Sequence, residues 1–289
     1  MLGPHLPEIP TVTLVVFLCG LASALCHAVW NALARTKPDP APIMMAVVVV
    51  NGLISLPGLA VAGLPPTASW GWLAAGTVFN VMTVRALMEA YRRIPFALAY
   101  PLVRGIAPLF VTAIGLFVLG DVPTPIAGAG VFAVSLAVMM LAASARGGKA
   151  DRTGLLLAFV AGLSNAAFVL TDARGARIGD APSAYAFAQA AVSGAALWLV
   201  GRWEGSNPLA ALRSQTGFVL LCSTISMSGY LFALYGLAHG PAGAVSALRE
   251  TSIFIGVLLA ALMLKERVGP LRWTAALIAL GGVLMIRIG

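Results

Sequence analysis

Ten apolar stretches, each about as long as a bilayer is thick, occupy nearly the whole chain: roughly 11–34, 43–63, 69–91, 96–119, 124–144, 153–173, 184–201, 216–238, 242–264 and 270–288. Crossing about 30 Å of hydrocarbon takes roughly 20 mostly apolar residues in a helix, so each stretch is a candidate span and little is left for a soluble domain. The chain is 60% hydrophobic and 10% charged, with a mean hydropathy of +0.95, a balance that no water-soluble core and surface could share. The expected class is an all-α integral membrane protein of ten transmembrane helices. Turn-forming breaks separate the spans: TKPDP at 36–40, GLPPT at 63–67, GDVPT at 120–124, RGGKADR at 146–152 and WEGSNP at 203–208. The seventh stretch is short and rich in alanine. The first is longer than the apolar core of a signal peptide and has no Lys or Arg before it, so it reads as a true span.

The net charge of +8 would suggest nucleic acid in a soluble protein; here it reports membrane topology, and no nucleic-acid partner is expected. Twelve of the 18 Lys and Arg follow odd-numbered spans, from Arg35 and Lys37 to Lys265, Arg267 and Arg272, whereas Arg174, Arg177 and Arg287 lie on the other side. The positive-inside rule then places the odd-numbered loops in the cytoplasm and both termini outside. Cys19, Cys26 and Cys222 fall within spans without metal-ligand spacing and read as small apolar filler. Neither a metal nor a cofactor is expected.

Shifted by 145 residues, the chain aligns with itself: FALAYPLVRGIAPLFVTAIGLFVLGDVPTPIAGAGVFAVSLAVMM (96–140) meets PAGAVSALRETSIFIGVLLAALMLKERVGPLRWTAALIALGGVLM (241–285). Arg104 falls on Arg249 and Asp121 on Glu266. Five spans per copy is an odd number, so the second half (149–289) enters the membrane opposite to the first (1–148), which gives two inverted five-helix repeats. In each half an acid closes the fourth span, LFVLGD to Asp121 and LMLKE to Glu266, and a glycine-bearing span follows. With HAVWNALART (27–36) in the first span, this pattern resembles the EamA-type transporters of the drug/metabolite transporter superfamily. The resemblance implies transport of small metabolites, often export of amino acids or related compounds. It also implies a central cavity lined by spans three, four, eight and nine with parts of one and six, and puts five and ten at the periphery.

A charged group at mid-bilayer costs on the order of 2.5–3.5 kcal/mol even on the mild insertion scale, so each one needs a partner or a water-filled cavity. Arg104 lies between Pro101 and Pro108, which free the carbonyls of Ala97 and Arg104 and predict a bent or broken helix. Its guanidinium suits a substrate carboxylate or phosphate, or alternatively the freed carbonyls or an acid. Arg249 and Glu250 are helix neighbours about 100° apart and cannot serve each other. Arg249 repeats Arg104, while Glu250 takes the place of Gly105 and suits a substrate ammonium, a proton, or an ion pair fixing spans eight and nine. His27 and Asn31 share a face of span one with Trp30 beside them, either as proton relay and substrate contact or as hydrogen bonds between helices. Tyr230, at helical spacing with Ser223 and Ser226, is a candidate for the cavity wall; Tyr100, Asn165, Tyr185 and Gln189 are weaker ones. Arg85 and Glu89, four apart, read as an intrahelical pair at the interface, and Gly128, Gly130, Gly281 and Gly282 as helix contacts.

The function expected is secondary or facilitative transport, outward, of a small polar metabolite such as an amino acid or related carboxylate. The setting is a bacterial inner membrane, with alternating access exposing Arg104, Arg249 and Glu250 to one side at a time. No GxxxxGK[ST] occurs, which argues against direct ATP drive and leaves downhill flow or an ion gradient, with a proton as coupling ion. The partners expected are the small-molecule substrate and membrane lipids. A lipid flippase or scramblase, whose arginines would meet phosphate, is the alternative. An integral membrane enzyme is a weaker one, since no paired carboxylates or nucleophile–histidine motif occurs.

Overall fold

The computed structural model describes residues 12–37, 40–143, 151–207, 209–255 and 269–289. These residues form helices and connecting turns, with no strand among them. The first half holds α1 (Leu14–Arg35), α2 (Pro40–Ala62), α3 (Trp70–Arg93), α4 (Phe96–Val118) and α5 (Pro125–Ala143). The second holds α6 (Arg152–Arg177), α7 (Pro182–Trp203), α8 (Thr216–His239), α9 (Ala242–Glu250) and α10 (Pro270–Ile288). Among the described residues eight helices are long and apolar enough to cross a membrane: all but α3 and α9. α3 has the length, at 24 residues, but carries Arg85, Glu89, Arg92 and Arg93. α9 is described over nine residues, and the part of the expected ninth span from 256 onward, with Lys265, Glu266 and Arg267 after it, lies outside the described residues.

Three of the breaks read from the sequence are where the chain turns, while TKPDP and RGGKADR lie partly outside the described residues. Gly63, Gly120 and Gly205 adopt positive φ in GLPPT, GDVPT and WEGSNP. Thr13 caps α1 by accepting from the Val16 amide, and Asp151 caps α6 by accepting from Thr153 and Gly154. The short seventh stretch is a full 22-residue helix. α6 runs on through Arg174 to Arg177, past the expected end at 173.

One expectation changes place. α4 continues unbroken from Phe96 to Val118 although Pro101 and Pro108 lie inside it. Both prolines are buried against neighbouring helices, which hold the backbone in helical geometry across the two missing donors. The interruption falls instead in the other copy. α9 ends at Glu250, and Thr251 turns to bond the Leu248 carbonyl three residues back, at 3.2 Å.

Helices pack as α1 on α8, α3 on α6, α2 on α7, α5 on α10 and α4 on α9. α9 lies at the centre: Ala242 to Leu248 are all buried, with Val16, Val111, Val131, Val169, Leu237 and Ile286 around them. Small residues admit it, since a Cβ at Gly243 would come within 2.0 Å of the Thr112 hydroxyl. α5 and α10 meet at Gly130 and Gly282, whose backbones leave no room for side chains. Gly281 faces open space and Gly128 has only Pro123 near it, at 3.9 Å, so the expected glycine contacts reduce to one residue on each helix. Outward faces carry Leu14, Leu18, Val61, Phe117, Leu199 and Leu280, exposed as a lipid-facing surface requires.

Candidate functional site

The centre of the bundle holds the two arginines that the repeat aligns, and their surroundings differ. On α4, Arg104 places Nε 2.8 Å from Oε2 of Glu250 on α9, with side chains 13% and 3% exposed. The two atoms meet off the N–H direction, so the contact is a charge pair without a hydrogen bond. A terminal nitrogen of Arg104 donates to Ser252 Oγ at 3.4 Å, and the guanidinium carbon stands 5.7 Å from the centre of the Tyr100 ring. Glu250 therefore bridges α9 to α4, where an ion pair fixing spans eight and nine was one expectation. Arg249, one residue earlier, turns the other way and makes no ion pair or side-chain hydrogen bond with any described residue. It lines a cavity of about 230 Å³.

The wall opposite Arg249 combines apolar residues, among them Val48, Phe168 and Met227, with polar ones that are mostly neutral. α1 contributes Ser23, His27 and Trp30, α2 Asn51, α3 Asn80, α7 Gln189 and Ser193, and α8 Ser226 and Tyr230. His27 stands 3.4 Å from the Tyr100 hydroxyl and meets Trp30 edge to face at 5.6 Å. Asn51 donates to Ser226 Oγ at 3.0 Å. The Gln189 amide reaches the hydroxyls of Thr77 at 3.2 Å and Ser193 at 2.9 Å. α2 and α7 approach closely enough to share the wall because Gly52 and Gly194 abut, a Cβ on Gly52 falling 3.1 Å from Gly194 Cα. Their presence departs from the lining that the resemblance implied, and α4 reaches the site through Tyr100 and Arg104 behind the wall. No residue of α5 or α10 lines the cavity.

Of the residues singled out in the sequence, Arg249, His27, Trp30 and Tyr230 come together on the cavity. Arg104, Glu250 and Tyr100 form the layer behind it. Asn31 turns back to donate to the His27 carbonyl at 2.8 Å, and neither it nor Asn165 is in the wall. Tyr185 is fully buried against Gly175, and its hydroxyl donates to the Thr171 carbonyl at 3.3 Å. Arg85 pairs with Glu204, not Glu89; Glu89 pairs with Arg92 and Arg93. An acid preceding a base by four positions is the better order on a helix, and Glu89–Arg93 has it. Among the described residues no three of His, Cys, Asp and Glu gather as metal ligands would.

Two acids of structural weight accompany the site. Asp172 on α6, 2% exposed, accepts from the Tyr230 hydroxyl at 2.8 Å, and its other oxygen has no partner among the described residues. Asp121, after α4, receives Arg177 on both oxygens at 2.7 and 2.9 Å and the Ala242 amide at 2.8 Å. Arg177 also donates to the carbonyls of Leu237 and Gly240, at 3.0 and 2.8 Å. One bidentate pair thus ties the end of α4 to the ends of α6 and α8 and the start of α9. The spacing of the acids gave Asp121 as a motif residue without its partner, and Asp172 was not singled out at all.

With the geometry in place, comparison identifies the architecture. The family model described as the EamA-like transporter family matches residues 152–288. The match spans the second half of the chain, which is similar to that family. One solved crystal structure superposes with a TM-score of 0.75 at 17% identity, covering 94% of this chain and 96% of that one, which shows a shared fold over nearly the whole length. A search of the curated proteins found no match. The match and the long apolar helices together support a multi-pass membrane protein similar to the EamA-like transporters.

Proposed function

We propose that this EamA-like transporter moves a small organic anion, such as a carboxylate-bearing metabolite, and that Arg249 is the group that binds it. The observation carrying this reading is the inequality of the two arginines: Arg104 is paired with Glu250, while Arg249 has no carboxylate on it and faces the cavity. A guanidinium there can take a carboxylate in a fork of two hydrogen bonds, and the surrounding amides and hydroxyls can serve the polar remainder of the cargo. About 230 Å³ lies below the roughly 300–1,000 Å³ of drug-sized pockets, which favours a compact cargo over a lipid.

Movement follows by alternating access between two inverted five-helix halves, 1–148 and 149–289. The packing pairs support that symmetry. Exchanging the halves maps α1–α8 onto α6–α3, and maps α2–α7, α4–α9 and α5–α10 onto themselves. The Lys and Arg asymmetry supports odd-numbered loops in the cytoplasm, and outward flow across a bacterial inner membrane is the direction that the family resemblance favours. A thermal-shift screen of purified protein against carboxylates, amino acids, phosphate esters, polyamines and sugars tests the reading. Carboxylates should raise the melting temperature of the wild type and leave Arg249→Ala unmoved. Equal stabilisation of the variant would remove Arg249 from the site.

A further inference from the structure

The central helices carry four charges that sum to zero: the buried acids Glu250 and Asp172 and the partly buried Arg104 and Arg249, of which Arg104 and Glu250 form an ion pair. Asp172 has only the Tyr230 hydroxyl on one oxygen and no partner among the described residues on the other, and Tyr230 lines the cavity together with Arg249. A buried carboxylate on α6 so poorly supplied with donors is stabilised by a cation on the neighbouring cavity wall. An anion bound at Arg249 takes the cation away from it.

Resting on the anion-site reading above, we propose that Asp172 is a proton-binding site linked to the cavity, so that an anion at Arg249 and a proton on the free oxygen of Asp172 bind together. The proton enters from cavity water, no bond of the cargo changes, and the loaded centre keeps its net charge of zero for a monoanion. Linkage is reciprocal, so the proton favours the anion by the same factor as the anion favours the proton. A charge-neutral loaded state is also the one that crosses the membrane interior at least electrostatic cost.

The groups facing Asp172 are few. From α8 comes Tyr230, which donates to it. From α7 comes Tyr185, whose hydroxyl is engaged by the Thr171 carbonyl. From α9 comes Arg249, Glu250 being turned to Arg104 of α4. α3, the closest neighbour of α6, brings Thr77 and Asn80 to this region, neither of which titrates. His27, on α1 across the cavity, is held at Tyr100.

Methanesulfonate, a compact organic anion that stays ionised throughout the accessible pH range, tests the linkage on purified protein in weakly buffered detergent solution. Binding is followed by thermal shift and proton uptake by an indicator dye. The wild type should be stabilised and should take up about one proton per bound anion, its affinity falling about tenfold per pH unit on the alkaline side. Asp172→Asn keeps an acceptor for Tyr230. It should bind the anion with no uptake and a flat pH profile. Uptake unchanged in Asp172→Asn, or binding to the wild type without uptake, overturns the proton site and leaves the anion site standing. No stabilisation of the wild type, or stabilisation equal in Arg249→Ala, overturns both.

Discussion

Replacing Glu250 by Gln removes one charge from the most deeply buried ion pair among the described residues and leaves its volume nearly unchanged. At 2.8 Å and an effective dielectric of about 20, the attraction between Arg104 and Glu250 is about 6 kcal/mol, much of it offset by the cost of taking both groups out of water. The net worth of the pair is therefore small, but the cost of breaking it is not. Arg104 would keep Ser252 Oγ at 3.4 Å and the Tyr100 ring at 5.7 Å, neither of which compensates a full positive charge. Loss of one partner from a buried pair costs about 3–5 kcal/mol. For a chain of this size that corresponds to a drop in melting temperature of roughly 6–15 °C, taking about 2–3 °C per kcal/mol. The double variant Arg104→Met/Glu250→Leu removes both charges and should recover most of the loss. Thermal unfolding of wild type, Glu250→Gln, Arg104→Met, Glu250→Leu and the double variant, in one detergent at one scan rate, measures the loss and closes the cycle. A Glu250→Gln protein as stable as the wild type, or a double variant no better than the worse single, would refute the pairing. Arg104 would then be held by the backbone carbonyls that Pro101 and Pro108 free.

Two further perturbations probe the frame around the site. Asp121→Asn keeps one oxygen acceptor but removes the charge and the two-pronged grip on Arg177 and the Ala242 amide; we expect about 3 kcal/mol of destabilisation and faster hydrogen exchange at the Ala242 amide, read by mass spectrometry. Gly282→Ala drives a methyl to 2.8 Å from the Gly130 carbonyl and should cost about 1–3 kcal/mol. Gly281→Ala, with open space around it, should be neutral or stabilise by up to about 1 kcal/mol, so it should melt no lower than the wild type while Gly282→Ala melts below it.

The helices were legible because lipid demands long apolar runs and turns demand Gly, Pro and charge, and both signals are local. Arg249 was legible for the same reason, as a rare charge in an apolar run. Asp172 was not, because Arg174 and Arg177 follow it and make LTDARGAR look like the polar end of a span. The helix continues to Arg177 because Asp121, fifty-six positions earlier, receives that arginine, and this continuation buries Asp172. Asn51 in VVVVNGLIS bore the same signal as Arg249, a lone polar residue in apolar surroundings, and the screen for charge passed over it. Arg85 shows the converse failure. Four-residue spacing suggested Glu89, and the fold supplied Glu204 from another helix end.

Arg104 and Arg249, which align when the sequence is shifted by 145 residues, sit on α4 and α9 where these helices meet, and like charges there would repel. One acid is enough to settle this, and the packing dictates which copy carries it. At Gly105, the position that Glu250 matches, a Cβ would lie 2.7 Å from Met139 Cγ and 3.2 Å from the Ser135 carbonyl of α5, so no acid fits in the first copy. In the second copy the acid reaches across to α4 and neutralises Arg104. The symmetric pair thereby becomes one structural arginine and one that faces the cavity. Glu250, which first reads as a ligand for cargo, gives the cavity its single cation by occupying the other.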